Sequence, residues 1–296
     1  MWPQKVIARI EGGLGNQLFQ YAAARSLADR LNCELALDLR GLAANGDRPF
    51  QLNLYNIRAT IATEVDLEGL SHWRSTRITR IHSRLSHVFP KVFSFPTFWP
   101  SSFAFDKRFN RISRPAYLVG YWQSEKYFSW NRERILQDIT LLAPLAESNA
   151  TLGRIKACNS VAMHIRRGDY VTNSSAAEYH GLCDMSYYHS AIEQMKKNVE
   201  DIEVFVFSDD LDWARNNLQL NVPMQFVADN SDDRGYLDLE LISQCQNHIV
   251  ANSSFSWWGA WRAQSLGQHV YAPKRWFRGL RTNTTDVIPS RWHAIG

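Results

Sequence analysis

KVIARIEGGLGNQLFQYAAARSLADRLNCELALD, residues 5–38, is the stretch that decides the fold class. Residues 5–10 form a short apolar run suited to a buried strand. A glycine-rich turn, Gly12-Gly13-Leu14-Gly15-Asn16-Gln17, follows it. Leu18, Ala22, Leu27 and Leu31 then recur at helical spacing, which predicts a helix over 18–31. Residues 35–38 read as a second strand. Two strands joined by a crossover helix lie parallel in one sheet, so the chain is of the α/β class.

The second half alternates in the same way. Strands are predicted at 160–165, 204–208, 224–227, 248–251 and 269–272, and helices at 185–198, 211–217, 236–245 and 255–266. That alternation predicts a doubly wound lobe. In the first half a further strand is predicted at 117–122 and a helix at 130–139. The pattern weakens between 42 and 110, and 89–105 is a run rich in Phe, Pro, Trp and Ser. Loops over a cleft and an irregular cap on the core fit that run equally. Pro144, Gly153 and mixed polar residues mark 141–159 as a junction, giving lobes of 1–150 and 151–296.

At 296 residues, 45% hydrophobic and 21% charged, the composition is that of an ordinary globular protein. The net charge of +4 comes with no nucleic-acid-binding motif, so no nucleic-acid partner is expected. Arg74, Arg77, Arg80 and Arg84 repeat at helical spacing among His72, His82 and His87. They suit a solvated helix face, or a face for acidic lipid headgroups. Cys33, Cys158, Cys183 and Cys245 form no C-x-x-C pair, which argues against a zinc site or disulfide framework and for a reducing compartment. No run of signal-peptide length precedes Gly12, and no segment is apolar enough to span a bilayer. The expectation is a cytoplasmic protein, peripheral to the inner face of the membrane.

Three strand-to-helix turns carry the chemistry. His164-Ile165-Arg166-Arg167-Gly168-Asp169-Tyr170 ends a strand with two adjacent guanidiniums. Residues just past strand C-termini line the ligand crevice of an open α/β sheet, and a guanidinium fork suits a phosphate. If the strand continues, the two arginines face opposite ways: one meets a diphosphate and the other pairs with a carboxylate, for which Asp169 is near. The turn at 12–17 lacks both the Lys-Ser/Thr of a P-loop and the G-x-G-x-x-G spacing of a dinucleotide fold. It is either a tight turn or an anion-facing helix start. Asn252-Ser253-Ser254 is an N-cap whose hydroxyls and amides also suit phosphate oxygens. Ser208-Asp209-Asp210 suits a helix cap somewhat better than a ribose, base or metal contact. Trp257, Trp258 and Trp261 fit core packing better than a sugar-facing role.

Together GGLGNQLFQYA (12–22), GYWQSEKYF (120–128), HIRRGDYV (164–171), HGLCDMSYYHSAI (180–192), FSDD (207–210) and ANSSFSWWGAW (251–261) resemble the bacterial α-1,2-fucosyltransferases of glycosyltransferase family 11. The segment 42–110 matches least, and acceptor choice is expected there. The resemblance implies two Rossmann-like lobes of the GT-B kind, GDP-β-L-fucose as donor and a terminal β-galactoside, lipid-linked in O-antigen or capsule synthesis, as acceptor. It implies inversion at the anomeric centre and no metal or other cofactor. Arg166 is the position that holds the β-phosphate, and Asn16, with Gly13 and Gly15 in its turn, is placed at the donor phosphate. His164 lies near the nucleotide, Asp238 reads the guanine edge, and Asn252, Ser253, Ser254 and Phe255 line the phosphates and base. For a general base Asp169 is nearest by sequence, with Glu178, His180 and Asp184 as rivals, and water or phosphate can fill the role instead. Another GDP-sugar donor, and a non-catalytic nucleotide- or sugar-binding protein, are the competing readings. The missing G-x-G-x-x-G disfavours an oxidoreductase.

Overall fold

The computed structural model describes residues 4–44, 48–68, 70, 97–167, 181–228, 234–277 and 283–296. Asp169, Glu178, His180, the Arg74–Arg84 series and most of the aromatic run before Thr97 lie outside them. The chain divides into two compact units, Met1–Leu142 and Ala143–Gly296.

In the first unit the described residues form a five-stranded parallel sheet: β1 (Val6–Arg9), β2 (Leu35–Asp38), β3 (Thr60–Ile61), β4 (Thr97–Phe98) and β5 (Tyr117–Leu118), in the order β3-β2-β1-β5-β4. Helix α1 (Leu14–Leu31) is the crossover between β1 and β2, which pair from Val6↔Leu35 to Arg9↔Asp38. It is buried almost all round, and Ala22, Ala23 and Ala24 let it lie close to the sheet. Its buried glutamines are satisfied by backbone. The Gln17 amide donates to the Gly12 and Pro49 carbonyls, and the Gln20 amide bonds both the N–H and the C=O of Glu11. These bonds start the helix at Leu14, four residues before the apolar periodicity, with Gly13 as N-cap. Asn16 therefore stands in the first helical turn.

The predicted strand over 117–122 is shorter than its apolar pattern. Gly120 has φ +146° and Trp122 has φ +54°, so the chain turns away after Leu118. A buried tryptophan at positive φ costs about 1–3 kcal/mol and persists only where the surroundings impose it. Here Trp122 packs between Phe98, Phe109 and Tyr127, with ring centroids 5.9, 5.7 and 5.1 Å away.

In the second unit the described residues form a six-stranded parallel sheet: β6 (Asn159–Ile165), β7 (Ile202–Ser208), β8 (Met224–Phe226), β9 (Asn247–Ile249), β10 (Val270–Pro273) and β11 (His293–Ile295), ordered β11-β10-β9-β6-β7-β8. Side chains of β6 and β7 alternate between two cores. Val161, Met163, Ile165, Val204 and Val206 pack under Tyr188, Ile192 and Met195 of the helix Met185–Lys196. Ala162, Phe205 and Phe207 pack under Leu241 and Ile242 of the helix Gly235–Gln244. The helix Ala150–Ala157, inside the stretch read as a junction, joins that second core through Leu152 and Ile155.

Both sheets place their first strand centrally, with later strands on both sides of it. The order reverses between β1 and β5 in one unit and between β6 and β9 in the other. Such switch points are where open α/β sheets bind ligands, outside the carboxyl ends of the strands.

The helix Ser254–Arg262 begins just past β9. Trp257, Trp258 and Trp261 are fully buried, as core packing requires, and the Trp257 indole N–H donates to the Val287 carbonyl at 2.7 Å. Gly259 allows this helix onto its neighbour: a Cβ there would stand 2.2 Å from Ile242 Cγ2. Gly259→Ala should therefore destabilise the protein by about 2 kcal/mol through overpacking, read as a lower urea midpoint at an unchanged m-value.

Candidate active site

The second unit's edge is set by strand register. β6 and β7 run parallel and pair through Ile165↔Ser208, so the next residues, Arg166 and Asp209, come side by side. Arg166 Nη1 stands 2.9 Å from Asp209 Oδ2, and the other carboxylate oxygen accepts from the Arg167 backbone N–H at 2.8 Å. One carboxylate thus fixes both the guanidinium and the turn that carries it. Arg167 lies over the Trp213 ring at 3.8 Å, with Nε 3.4 Å from Asp210 Oδ2. Asp210 also caps the helix Leu211–Asn217, accepting from the Trp213 N–H at 3.1 Å. The expected division between a ligand-facing and a paired arginine takes a different form. Among the described residues both are paired, and their carboxylates are the two of Ser208-Asp209-Asp210; Asp169, the carboxylate the sequence offered, lies outside the described residues. The Trp213 ring and Asp210 hold Arg167, while Asp209 holds Arg166 just past the strand end at the switch point.

His164, next to last in the same strand, is buried beside Phe255, the two rings 5.6 Å apart. Burial, aided by the Arg166 charge, pushes its imidazole down to about 3. The ring is neutral at physiological pH, and its buried Nδ1 has no hydrogen-bond partner. Ser253 caps the helix Ser254–Arg262, its hydroxyl accepting from the Phe255 N–H at 3.3 Å. Ser254 opens that helix, whose free N-terminal amides favour an anion. Asn252 is buried, and its amide donates to the Gly181 and Trp276 carbonyls at 3.0 and 3.3 Å, which fastens the loop around the turn. Asp238 lies half-buried in the first turn of the helix Gly235–Gln244. Asp184 caps the helix Met185–Lys196, accepting from Ser186 Oγ and the Tyr187 N–H at 2.6 and 2.9 Å. The Ser186 hydroxyl holds its carboxyl below the usual range, which makes it a poor general base.

The first unit's switch point carries different groups. Gly12 takes φ +77°, and a Cβ there would stand 2.9 Å from Asn16 Nδ2, so Asn16 packs directly on the turn. The Asn16 N–H donates to the Gly13 carbonyl at 2.9 Å, and Gly15 is buried beneath. Gln123, from the turn after β5, donates to Asn16 Oδ1 at 2.9 Å, which fixes the orientation of the Asn16 amide. The arginines here are engaged. Arg40 forms a fork with Asp38 at 2.9 Å, Asp38 also accepts from Tyr117 Oη at 2.7 Å, and Arg9 Nε lies 3.3 Å from Glu11. Burial raises the Glu11 carboxyl, against the opposing charge of Arg9.

The structure therefore gathers His164, Arg166, Ser253, Ser254 and Phe255 near one switch point, and Gly13, Gly15 and Asn16 at the other. Residue-by-residue reading missed Asp209 as the partner of Arg166, and Gln123 as that of Asn16. No local periodicity reports a pairing between residues so far apart in sequence. Among the described residues no group of three or more His, Cys, Asp or Glu is arranged to hold a metal, and no helix is long and apolar enough to cross a membrane.

Two Rossmann-like lobes of the GT-B type, with an anchored arginine and a capped helix start at a switch point, define a glycosyltransferase architecture. The model described as glycosyl transferase family 11 matches residues 93–289, and the chain belongs to that family. It is 33% identical to an Escherichia coli alpha-1,2-colitosyltransferase over 98% of each chain. It is 32% identical to the Escherichia coli O-antigen biosynthesis glycosyltransferase WbnK over 96% of this chain and 98% of that one. A galactoside alpha-(1,2)-fucosyltransferase 1 of Plecturocebus brunneus is 26% identical over 88% of this chain and 65% of its own. Among solved structures, an Arabidopsis thaliana FUT1 variant in complex with GDP shares the fold at a TM-score of 0.51 and 12% identity, covering 92% of this chain and 71% of that one.

The buried histidines make stability depend on pH. His164 at about 3 and His248 at about 4 both lie below their ordinary value of 6.5, chiefly through burial. Between those values and 6.5 the unfolded chain binds protons that the folded chain refuses, so stability is full above about 6.5 and declines as the pH falls. The urea midpoint should drop between pH 7 and pH 5, and His248→Gln should flatten that slope.

Proposed function

We propose that the protein transfers L-fucose from GDP-β-L-fucose to O2 of a terminal β-galactoside, with inversion and without a metal ion. The observation that carries this reading is Arg166, held by Asp209 just past β6 at the switch point. A guanidinium so fixed is a preorganised partner for a diphosphate leaving group. The neutral His164 beside it and the helix start at Ser254 add polar groups without adding negative charge.

In the proposed reaction the bond from fucose C1 to the β-phosphate oxygen breaks, its electron pair leaving with GDP. Positive charge grows on the sugar ring and negative charge on the diphosphate. Arg166 stabilises the diphosphate, together with the amides at the start of Ser254–Arg262, in the role a metal takes elsewhere. Acceptor O2 attacks C1 from the opposite face and releases its proton to Asp169, Glu178, His180, water or phosphate. Asp238 accepts from guanine N1–H and the exocyclic amine, which selects GDP.

The similarity to a colitosyltransferase supports a second donor. Colitose is a 3-deoxy analogue of L-fucose, so a GDP-colitose donor would use the same diphosphate contacts. The similarity to the O-antigen biosynthesis glycosyltransferase WbnK supports an acceptor within an O-antigen repeat unit.

Two outcomes are expected. Titration calorimetry in EDTA should detect binding of GDP and GDP-fucose and none of UDP. Silence toward guanine nucleotides from folded protein would overturn the donor assignment, and activity lost in EDTA and restored by Mn²⁺ would refute the metal-free mechanism. Arg166→Ala should lower kcat by about three orders of magnitude with folding intact, as loss of one preorganised charge-stabilising donor does elsewhere.

A further inference from the structure

The ion pair Arg166–Asp209 joins the ends of β6 and β7, and both ends are braced. On the Asp209 side, the Asp210 N–H donates to the Ser208 hydroxyl at 3.0 Å, and Asp210 itself accepts from the Trp213 N–H at 3.1 Å. On the Arg166 side, the His164 carbonyl accepts from the buried Tyr188 hydroxyl at 3.3 Å. Between these supports one Asp209 oxygen meets Arg166 Nη1 at 2.9 Å, and the other accepts from the Arg167 N–H at 2.8 Å.

The two side chains are 23% and 20% exposed. At that depth salt screens the pair only in part, so it is stronger than a surface ion pair. Both groups keep some contact with solvent, so an anion can compete for the guanidinium. Arg167 is held by the Trp213 ring as well as by Asp210, and its position depends less on charge. A cation that stabilises a diphosphate leaving group carries a cost. The charge on the diphosphate grows through the transition state and is largest on free GDP. An uncompensated guanidinium therefore holds the product more tightly than the transition state, which slows release without aiding the chemistry.

We propose that Asp209 is the positioning residue and the exchange partner of Arg166: it aims the guanidinium before the donor binds, yields it to the diphosphate, and takes it back as GDP leaves. The proposal deepens the transfer reaction argued above and rests on it. Asp209 acts through Arg166, while its second oxygen keeps the turn at Arg167 in place during the exchange.

Asp209→Asn removes the charge and keeps an oxygen that can accept from the Arg167 N–H. Calorimetry with GDP, and initial rates of transfer from GDP-fucose to methyl β-galactoside, should then move in opposite directions. The kcat should fall about 10–100-fold, the range seen when a partner that orients a metal-binding group is lost. The Kd of GDP should fall about threefold or more, because a negative charge beside the phosphate site is gone. A merely structural carboxylate would weaken GDP binding and lower kcat together. A double-mutant cycle gives the second readout. In an Arg166→Ala background, Asp209→Asn should change kcat by less than about twofold, since no guanidinium remains to be aimed. Asp209→Glu keeps the charge but displaces it, so kcat should fall while GDP affinity stays within about twofold of wild type. That variant serves in the cycle if the asparagine variant fails to fold. Weaker GDP binding or an unchanged kcat in Asp209→Asn, or an additive loss in the cycle, overturns the proposal and leaves the donor reading standing. Folded wild-type protein that binds no GDP overturns the donor reading, and the proposal with it.

Discussion

The pairing of β6 with β7 is the constraint on which the second unit depends. The two strands align residue for residue from Asn159↔Ile202 to Ile165↔Ser208. That register divides their side chains between two cores, and it also places Arg166 against Asp209. A slip of one residue would exchange the two core faces and separate the guanidinium from its carboxylate together. Packing and chemistry are therefore specified by one interaction, and the apolar alternation that stabilises the sheet also aims the arginine.

The first unit uses the same plan with different chemistry at its edge. β1 is central, α1 crosses to β2, and the turn after β5 meets the start of α1 through Gln123 and Asn16. One sheet ends in the paired Arg166 and a capped helix start, the other in the paired amides of Gln123 and Asn16. The buried Trp257, Trp258 and Trp261 pack among themselves and fix the helix that begins at Ser254.

Much of the framework was legible because it is local. The helix at Leu211–Asn217 lies where its apolar spacing and the cap at Asp210 put it, and each strand predicted in the second half is present with shifts of a residue or two at its ends. The departures have identifiable causes. Helix α1 extends N-terminally into Leu14-Gly15-Asn16 because Gln17 bonds the backbone at Gly12 and Pro49, contacts that intrinsic propensity does not register. The strand expected through Trp122 stops at Leu118 because an aromatic cluster captures Trp122 at positive φ. The helix Ala150–Ala157 was hidden by Gly153, which has open space around it and costs only helix propensity.

The sequence by itself determined the α/β class, most of the strand–helix alternation of the second half, and the turns where polar and cationic groups follow strands, since these depend on near neighbours along the chain. Only the tertiary structure decided which charges meet. Arg166 found Asp209, Arg167 found Asp210 and Trp213, Asn16 found Gln123, and His164 lost its protonation to burial. Those outcomes follow from strand register and desolvation, which are set by the summed packing of residues far apart in sequence and by no motif alone.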